Sequence, residues 1–148
     1  MGREAWEQGS VDEGEETRAA VEALVAAINS GRAERIVNAM SADAVFIDSL
    51  GARIEGRAAL SDAWRAYLRL FPDYRIEVEG WYLRGREAML HGRAGGTLHR
   101  DASPVEGGRW EIKAAWRAKA DSRRVLLWEV YADNQPARAL LGSRGDPL

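Results

Sequence analysis

The sequence has no cysteine among its 148 residues, which excludes disulfide frameworks and thiolate metal sites. It has only two histidines, His91 and His99, and their spacing fits no metal-binding pattern such as His-x-x-x-His. Phosphate loops, nucleophile elbows and dinucleotide-binding fingerprints are also missing. We therefore predict neither a metal nor another cofactor. The lack of cysteine is typical of a reducing compartment, so we expect a cytoplasmic protein.

Long apolar runs and clustered positive charge are lacking as well. No apolar stretch approaches the roughly 20 residues that a membrane helix needs. Residues 1–16 are too acidic and polar for a secretory signal. The formal net charge is −2, and the basic residues are scattered along the chain. These features predict neither a membrane partner nor a nucleic acid partner.

Three helical segments are predicted in the first half of the chain. Val21, Leu24, Val25 and Ile28 have the i, i+3, i+4, i+7 spacing of an amphipathic helix, and Thr17 is its predicted N-cap. A short second helix is predicted over residues 33–40. The third helix carries an apolar stripe and ends at a proline; the residues concerned are Leu60, Trp64, Tyr67, Leu68, Phe71 and Pro72.

Strand patterns dominate the second half. A short apolar strand over residues 44–48 precedes the third helix, and a loop is expected over residues 101–108. The longer strands are predicted at 74–83, 87–99, 109–120 and 124–133. Helices followed by consecutive strands predict an α+β domain in which helices pack on a curved antiparallel sheet and leave an apolar pocket. We place this domain at residues 15–141, between a flexible leader (1–14) and a disordered tail (142–148).

Asp48 is the first candidate for chemistry, because it ends an apolar strand just before a turn that contains glycine. A carboxylate among apolar groups can act as a general base or acid. An aspartate at a strand end also commonly accepts hydrogen bonds from nearby backbone N–H groups in an Asx turn. Position alone favours the second interpretation.

His91 and Arg93 form the second candidate group. They lie two residues apart on one predicted strand and therefore share a face. Facing the pocket, they would bind or polarise an oxygen atom of a ligand. Facing solvent, they would leave Leu90 and Ala94 to the core. The pattern does not choose between these two orientations.

Large aromatic residues are numerous for a chain of this length. Trp64, Tyr67, Trp116, Trp128 and Tyr131 are candidates for the wall of a small-molecule pocket. Aromatic residues also simply fill cores, which is the commoner situation.

Three segments of the sequence carry a family resemblance. They are SADAVFIDSLGARIEGRAAL (residues 41–60), FPDY (71–74) and WEVYADNQP (128–136). In these segments the chain resembles the nuclear transport factor 2-like superfamily, in particular its SnoaL-like and ketosteroid-isomerase-like branch. The resemblance implies a cone-shaped domain of cystatin-like topology, with three N-terminal helices on a strongly curved antiparallel sheet. It also implies a pocket for a small hydrophobic molecule and a homodimer formed through the sheet.

The residues that the resemblance assigns to the pocket match known relatives only in part. Asp48 falls where ketosteroid isomerases keep their proton-shuttling aspartate. The two oxyanion donors of those enzymes are replaced by Leu24 and Trp116. Arg93 falls on the arginine of the limonene-epoxide-hydrolase pattern, but Gly95 and Val130 stand where its aspartates belong.

The resemblance, aligned residue by residue, also implies the orientation of further side chains. It points Trp64, His91, Arg93, Trp116, Trp128 and Val130 into the cavity, and Glu129 and Tyr131 away from it. We expect an isomerase, cyclase or hydratase-type enzyme with Asp48 as general base and with His91 or Arg93 holding an oxyanion. Trp64, Tyr67, Trp116, Trp128 and Val130 would then bind the substrate. The alternatives are a non-catalytic ligand-binding domain and a partner-binding module whose tryptophans fill the cavity.

Overall fold

The computed structural model describes residues 2–142, with side chains from Asp12 onward. The helices are α1 (Gly2–Asn29), α2 (Ala33–Asn38), α3 (Arg57–Leu70) and α4 (Gln135–Leu141). The strands are β1 (Met40–Ile47), β2 (Arg53–Glu55), β3 (Arg75–Arg84), β4 (Glu87–Arg100), β5 (Ser103–Asp121) and β6 (Arg124–Ala132). The predicted α+β class is confirmed. Within the described residues, no helix is long and apolar enough to cross a membrane.

One six-stranded sheet forms the scaffold, in the order β2-β1-β6-β5-β4-β3. The meander from β3 to β6 is antiparallel, as predicted, but β1 pairs with β6 in parallel, so the sheet is mixed. Turn signals predict pairing between strands that follow each other in the chain. They carry no information about β1 and β6, which come together only when the whole sheet forms.

Helix α1 is longer than predicted. It begins at Gly2 and so includes most of the segment that we predicted to be a flexible leader. Thr17 is not an N-cap. It lies buried inside the helix, where its hydroxyl is 2.7 Å from the carbonyl oxygen of Glu13 and 2.8 Å from that of Gly85. No proline interrupts residues 2–29, so the helix has no strong stop before Thr17. Residues 143–148 of the predicted tail lie outside the described residues.

The predicted loop at residues 101–108 is much shorter in the structure. Asp101 and Ala102 form a tight turn with φ angles of 52° and 62°, and β5 begins directly at Ser103. Both central residues of a type I′ hairpin turn have positive φ, which fits this geometry. Gly107 and Gly108, which suggested a loop, lie inside β5. They belong to a stretch where the β4–β5 register shifts, between the Thr97 and His99 pairs.

The sheet bends because its strands contain irregularities and small residues. The β3–β4 register shifts between Val78 and Gly80, and bulges of this kind bend and twist a sheet. The concave face packs on α1, α2 and α3 around a core whose largest members are Trp116 and Trp128. These two rings are nearly parallel, with centroids 6.0 Å apart. Such a pair contributes about 0.5–1.5 kcal/mol beyond the burial of its surface.

The side chain of Asn29 holds the end of helix α1 at the exposed edge of the sheet. Asn29 accepts a hydrogen bond from the backbone N–H of Ile76 (2.8 Å) and donates one to its carbonyl oxygen (3.0 Å). The amide thereby takes the place that another strand would occupy beside β3. Because unpaired strand edges invite pairing between chains, this contact also protects the edge.

Candidate functional site

A cavity of about 1260 Å³ lies between the concave face of the sheet, helix α3 and the short helix α4. Its lining residues come from sheet strands, from turns and from helices α3 and α4, so the site forms only when these distant segments have come together. Most of the lining side chains are apolar; they include Phe46, Ile54, Leu60, Trp64, Tyr67, Tyr74, Ala94, Trp110, Ile112, Ala114, Trp116, Trp128, Val130, Ala132 and Ala137. The more polar lining residues are Asp48, Ser49, Arg69, His99, Arg100, Asp101 and Asn134.

Edge-to-face aromatic contacts hold one wall of the cavity. Trp64 packs against Tyr67 with ring centroids 5.9 Å apart, and Tyr67 packs against Tyr74 at 4.9 Å. Tyr74 also stacks on Trp110 at 6.1 Å. Aromatic pairs prefer these arrangements because the positive edge of one ring meets the negative face of another. The wall is therefore preformed rather than assembled around a ligand.

The two tyrosines of this wall are protonated at neutral pH and well above it. Burial raises the pKa of Tyr67 well above its ordinary value, and the neighbouring Tyr74 raises it further. Burial also raises the pKa of Tyr74, although a hydrogen bond from Tyr67 partly opposes that rise. Both rings keep some accessible surface, and both line the cavity. They act as neutral phenols there.

Asp48 forms the predicted Asx turn and also lines the cavity. Its Oδ1 accepts hydrogen bonds of 2.9 Å from the backbone N–H groups of Leu50 and Ala52, which confirms the predicted Asx turn. The residue is only 7% exposed, yet it lines the cavity. No donor among the described residues reaches Oδ2, and this oxygen is not one of the fully enclosed unpaired atoms. Asp48 thus offers the cavity one free carboxylate oxygen on a rigidly held side chain.

Ser49 and Asn134 lie beside Asp48. The Nδ2 of Asn134 donates a 2.8 Å hydrogen bond to Oγ of Ser49, although the two residues are 85 positions apart. Asn134 is 7% exposed, and it precedes α4 without capping it through its side chain. Both residues line the cavity. Asp48, Ser49 and Asn134 together form what we call the polar corner of the cavity.

The structure contradicts the predicted orientation of His91 and Arg93. In β4 the residues Leu90 and Ala94 face the core, so His91 and Arg93 project from the opposite, convex face. Arg93 forms an ion pair of 2.8 Å with Glu111 there, and hydrogen bonding to Glu111 raises its pKa. The ring of His91 stacks on Tyr82. Neither residue lines the cavity, so neither holds an oxyanion beside Asp48.

The other predicted pocket residues do line the cavity, namely Trp64, Tyr67, Trp116, Trp128 and Val130. Glu129 and Tyr131 lie on the convex face, as the alignment implied, and share a 2.8 Å hydrogen bond. Trp116 occupies the position of a lost oxyanion donor, but its indole N–H is fully enclosed and has no partner among the described residues. It is part of the wall and presents no donor to a ligand.

Sequence reasoning missed Ser49, Tyr74 and Asn134 as cavity residues. A signal existed for Tyr74, which directly precedes the β3 strand within the FPDY segment. Ser49 was visible only as part of a turn. Nothing local indicated that Asn134 would contact it, because the contact joins the β1–β2 turn to the start of α4. Among the described residues, no group of three or more His, Asp or Glu side chains is placed to hold a metal ion.

With this fold and cavity described, the family can be stated. The model of the SnoaL-like domain matches residues 21–135. The protein therefore belongs to the SnoaL-like domain family of the nuclear transport factor 2-like superfamily, which confirms the resemblance found in the sequence. No curated protein matches this sequence.

Solved structures with the same fold share little sequence with this chain. A hypothetical protein from Catenulispora acidiphila with a ketosteroid isomerase-like fold, solved with trimethylamine, is 17% identical (TM-score 0.70; 83% of this chain, 92% of that chain). A proposed SnoaL-like polyketide cyclase from Shewanella denitrificans is 13% identical (TM-score 0.71; 86% and 98%). SalBIII, an epoxide hydrolase/cyclase-like enzyme of pyran ring formation in salinomycin, is 17% identical (TM-score 0.71; 82% and 94%). At these identities the likeness establishes the fold alone.

Proposed function

We propose that the protein binds a small hydrophobic molecule in the cavity and that Asp48 acts on it as a general base. The reaction would be of the isomerase, cyclase or hydratase type. The observation that carries this proposal is the state of the Asp48 carboxylate. One oxygen is held by two backbone N–H groups, and the other is free in a cavity with aromatic walls.

The geometry suits proton transfer for two reasons. The two backbone hydrogen bonds fix the carboxylate, so the free oxygen meets a bound ligand in one orientation and little entropy is lost at the reacting step. As the proton passes from a carbon of the ligand to Oδ2, negative charge develops on the ligand, and the apolar walls strengthen any hydrogen bond that stabilises this charge. His91 and Arg93 take no part. Protonated Tyr74 is the neutral hydrogen-bond donor of the aromatic wall, since the proton of Tyr67 is used in its bond to Tyr74.

Two of the structural neighbours support a ring-forming reaction on a polyketide-derived molecule. One is a proposed polyketide cyclase, and the other acts in pyran ring formation. Molecules of this kind are large and mostly apolar. A cavity of about 1260 Å³ has room for them, because it exceeds the roughly 300–1,000 Å³ of sites for drug-sized ligands.

The test is proton exchange at carbon on a simple hydrophobic ketone. β-Tetralone is incubated with the protein in D₂O, and loss of its α-protons is followed by nuclear magnetic resonance. We expect Asp48→Asn to slow the enzymatic exchange by about 100-fold or more, because a positioned base contributes roughly 10²–10⁴ in rate. Asparagine can still accept the two backbone hydrogen bonds, so the turn and the fold should persist.

Asp43→Asn is the matched control, because Asp43 lies on the same strand with an exposed side chain. It should exchange β-tetralone as fast as the wild type. Equal exchange rates for the wild type and Asp48→Asn, with binding intact, would rule out Asp48 as the base.

One observation favours a second candidate function, that of a non-catalytic binding domain. The two hydrogen bonds to Oδ1 give Asp48 a sufficient structural role in the β1–β2 turn. In this case ligands would bind in the cavity without turnover. Asp48→Asn would then change thermal stability or affinity and leave solvent exchange at its uncatalysed rate in both proteins.

We also propose a homodimer formed through the convex face of the sheet. Three large side chains are exposed there, on β3, β4 and β6: Tyr82 (67%), Met89 (36%) and Tyr131 (50%). Light scattering after size-exclusion chromatography tests this proposal. A Tyr82→Glu, Tyr131→Glu double variant should run as a monomer, and a wild-type monomer at micromolar concentration would contradict it.

A further inference from the structure

The polar corner has two oxygen atoms that receive no hydrogen bond from the described residues. Oδ1 of Asp48 is filled, but Oδ2 receives no hydrogen bond from the described residues. The Nδ2 of Asn134 is used on Ser49, while its Oδ1 receives nothing and is not among the fully enclosed atoms. Two protons remain at the corner: the hydroxyl proton of Ser49, whose oxygen accepts the bond from Asn134, and the second amide proton of Asn134.

Two open acceptors on residues that are 93% buried need an explanation. Polar groups on buried residues are normally satisfied, and no donor of the described residues reaches either oxygen. Both oxygens keep some accessible surface, so the donor comes from outside the protein, as water or as a group of a ligand. Both residues line the cavity, so that donor can reach them from a ligand.

The surroundings restrict the rest of such a ligand. Phe46 lies two residues before Asp48 and pairs with both Ile54 and Trp128 across the sheet, and all three side chains line the cavity. Val130 and Ala132 continue this apolar surface along β6 towards Asn134. A ligand that places a donor at the polar corner therefore meets apolar surface on the adjoining strands β1, β2 and β6.

We propose that the cavity selects an apolar ring molecule that carries a free hydroxyl group, and that this hydroxyl donates its one hydrogen bond to an open acceptor of the polar corner, Asp48 Oδ2 or Asn134 Oδ1. This inference rests on ligand binding as proposed above, but not on catalysis. Ethers and ketones of the same shape leave the two acceptors unpaired. A site that hydrogen-bonds a hydroxyl rejects such analogues strongly, because desolvated partners are then left without a bond.

The test compares β-naphthol with its methyl ether, which have the same rings and differ in the O–H group. Dissociation constants are measured at neutral pH from the quenching of tryptophan fluorescence. We expect β-naphthol to bind the wild type at least about tenfold more tightly, as one satisfied acceptor is worth about 1.4 kcal/mol or more.

Two variants locate the preference. Asp48→Asn puts an amide donor where the free carboxylate oxygen was. The ratio of the ether's dissociation constant to that of β-naphthol should therefore fall to one or below it. Asn134→Leu removes the second acceptor and should reduce the preference while the ether binds as before. Asn38→Leu, at an exposed position on α2, is the control and should keep the wild-type ratio.

The outcomes separate this inference from the proposed catalysis. Equal affinities of the wild type for β-naphthol and its ether would overturn the inference, whatever the exchange of β-tetralone gives. Failure of both compounds to bind would overturn the binding function beneath it. If the wild type prefers β-naphthol but catalyses no exchange of β-tetralone, the inference stands and Asp48 has no catalytic role. If Asn134→Leu does not fold, the ratio of the two dissociation constants in the wild type and in Asp48→Asn still tests the inference.

Discussion

The amide of Asn134 donates a 2.8 Å hydrogen bond to the hydroxyl oxygen of Ser49 and so joins the start of α4 to the β1–β2 turn. The two residues are 85 positions apart in the sequence, so only folding brings these segments together. The bond sets the position of α4 over the cavity and orders the side chain next to Asp48.

This contact should appear as a coupling between two substitutions. We expect Asn134→Ala to cost about 1–3 kcal/mol, because it leaves a buried neighbour without its partner. Ser49→Ala should cost about 1 kcal/mol, and the double variant less than the sum, with a coupling of about 0.5–1.5 kcal/mol. Urea unfolding of the four proteins gives the cycle. Strict additivity would mean that the bond is absent in solution.

Two glycines in the curved part of the sheet should differ sharply in their tolerance of alanine. A Cβ atom at Gly92 would overlap the backbone carbonyl oxygen of Glu77, which cannot move without breaking the β3–β4 pairing. We expect Gly92→Ala to cost about 2–3 kcal/mol, at the upper end for overpacking. Thermal unfolding measures it.

Gly80 is the matched comparison, because a Cβ there would overlap only the imidazole of His91. That ring is exposed and can rotate away. We expect Gly80→Ala to cost about 1 kcal/mol or less, and a second substitution, His91→Ala, to recover most of the loss. A Gly80→Ala variant as unstable as Gly92→Ala would contradict this.

The buried tyrosines predict a loss of stability at alkaline pH. Below about pH 10 both the folded and the unfolded chain keep the protons of Tyr67 and Tyr74, so the full stability is present. Above it the unfolded chain releases them, whereas the raised pKa values hold them in the folded state. The free energy of unfolding then falls by about 1.4 kcal/mol per pH unit for each such tyrosine.

Urea unfolding between about pH 9 and pH 11 tests this slope. Replacing Tyr74 by phenylalanine should make the decline shallower, because one raised pKa is removed. Tyr82→Phe is the control, since Tyr82 is 67% exposed, and it should leave the slope unchanged. Identical slopes in all three proteins would mean that solvent reaches the hydroxyl of Tyr74 freely.

Asp73 predicts the opposite behaviour in acid. Burial opposes its ionisation, but hydrogen bonds from the backbone N–H (2.7 Å) and the hydroxyl (2.8 Å) of Thr97 outweigh that effect and lower its pKa. Its contribution is therefore complete above its ordinary pKa and is lost as the pH falls through the lowered one. The side chain is 44% exposed, so the contribution is under about 1 kcal/mol.

Asp73→Asn should accordingly destabilise the protein at neutral pH, and the difference from the wild type should shrink as the pH falls below about 4. Thermal unfolding at a series of pH values measures that difference. Asp62→Asn, on the exposed side of α3, is the control and should track the wild type throughout. A difference for Asp73→Asn that stays constant with pH would show that charge plays no part in the contact.

Much of the fold could be read from local pattern. The apolar stripe that contains Leu24 and Ile28 does face the core, and Trp110, Ile112 and Trp116 do share the concave face of β5. These predictions held because helical and strand periodicity depend on neighbouring residues alone. The Asx turn at Asp48 held for the same reason, since its partners, Leu50 and Ala52, lie within four residues.

Only part of the candidate site could be predicted from local sequence pattern. Strand periodicity required His91 and Arg93 to share a face, but it could not say which face the helices would cover. The small and apolar residues on the other side, Leu90 and Ala94, are the ones that pack inward. The parallel pairing of β1 with β6 lay equally beyond local pattern, because no turn connects the two strands.

The sequence by itself determined the helices and the long strands, the alternation along each strand, and the turn that holds Asp48. The tertiary structure decided which side of β4 became the wall of a cavity and which became surface. It also brought Asn134 to Ser49 and so created the polar corner. The physical reason is the separation along the chain between the residues that interact. Local structure follows from dihedral preferences and hydrophobic period, whereas a site built by residues 85 positions apart exists only after the sheet has curved around its helices.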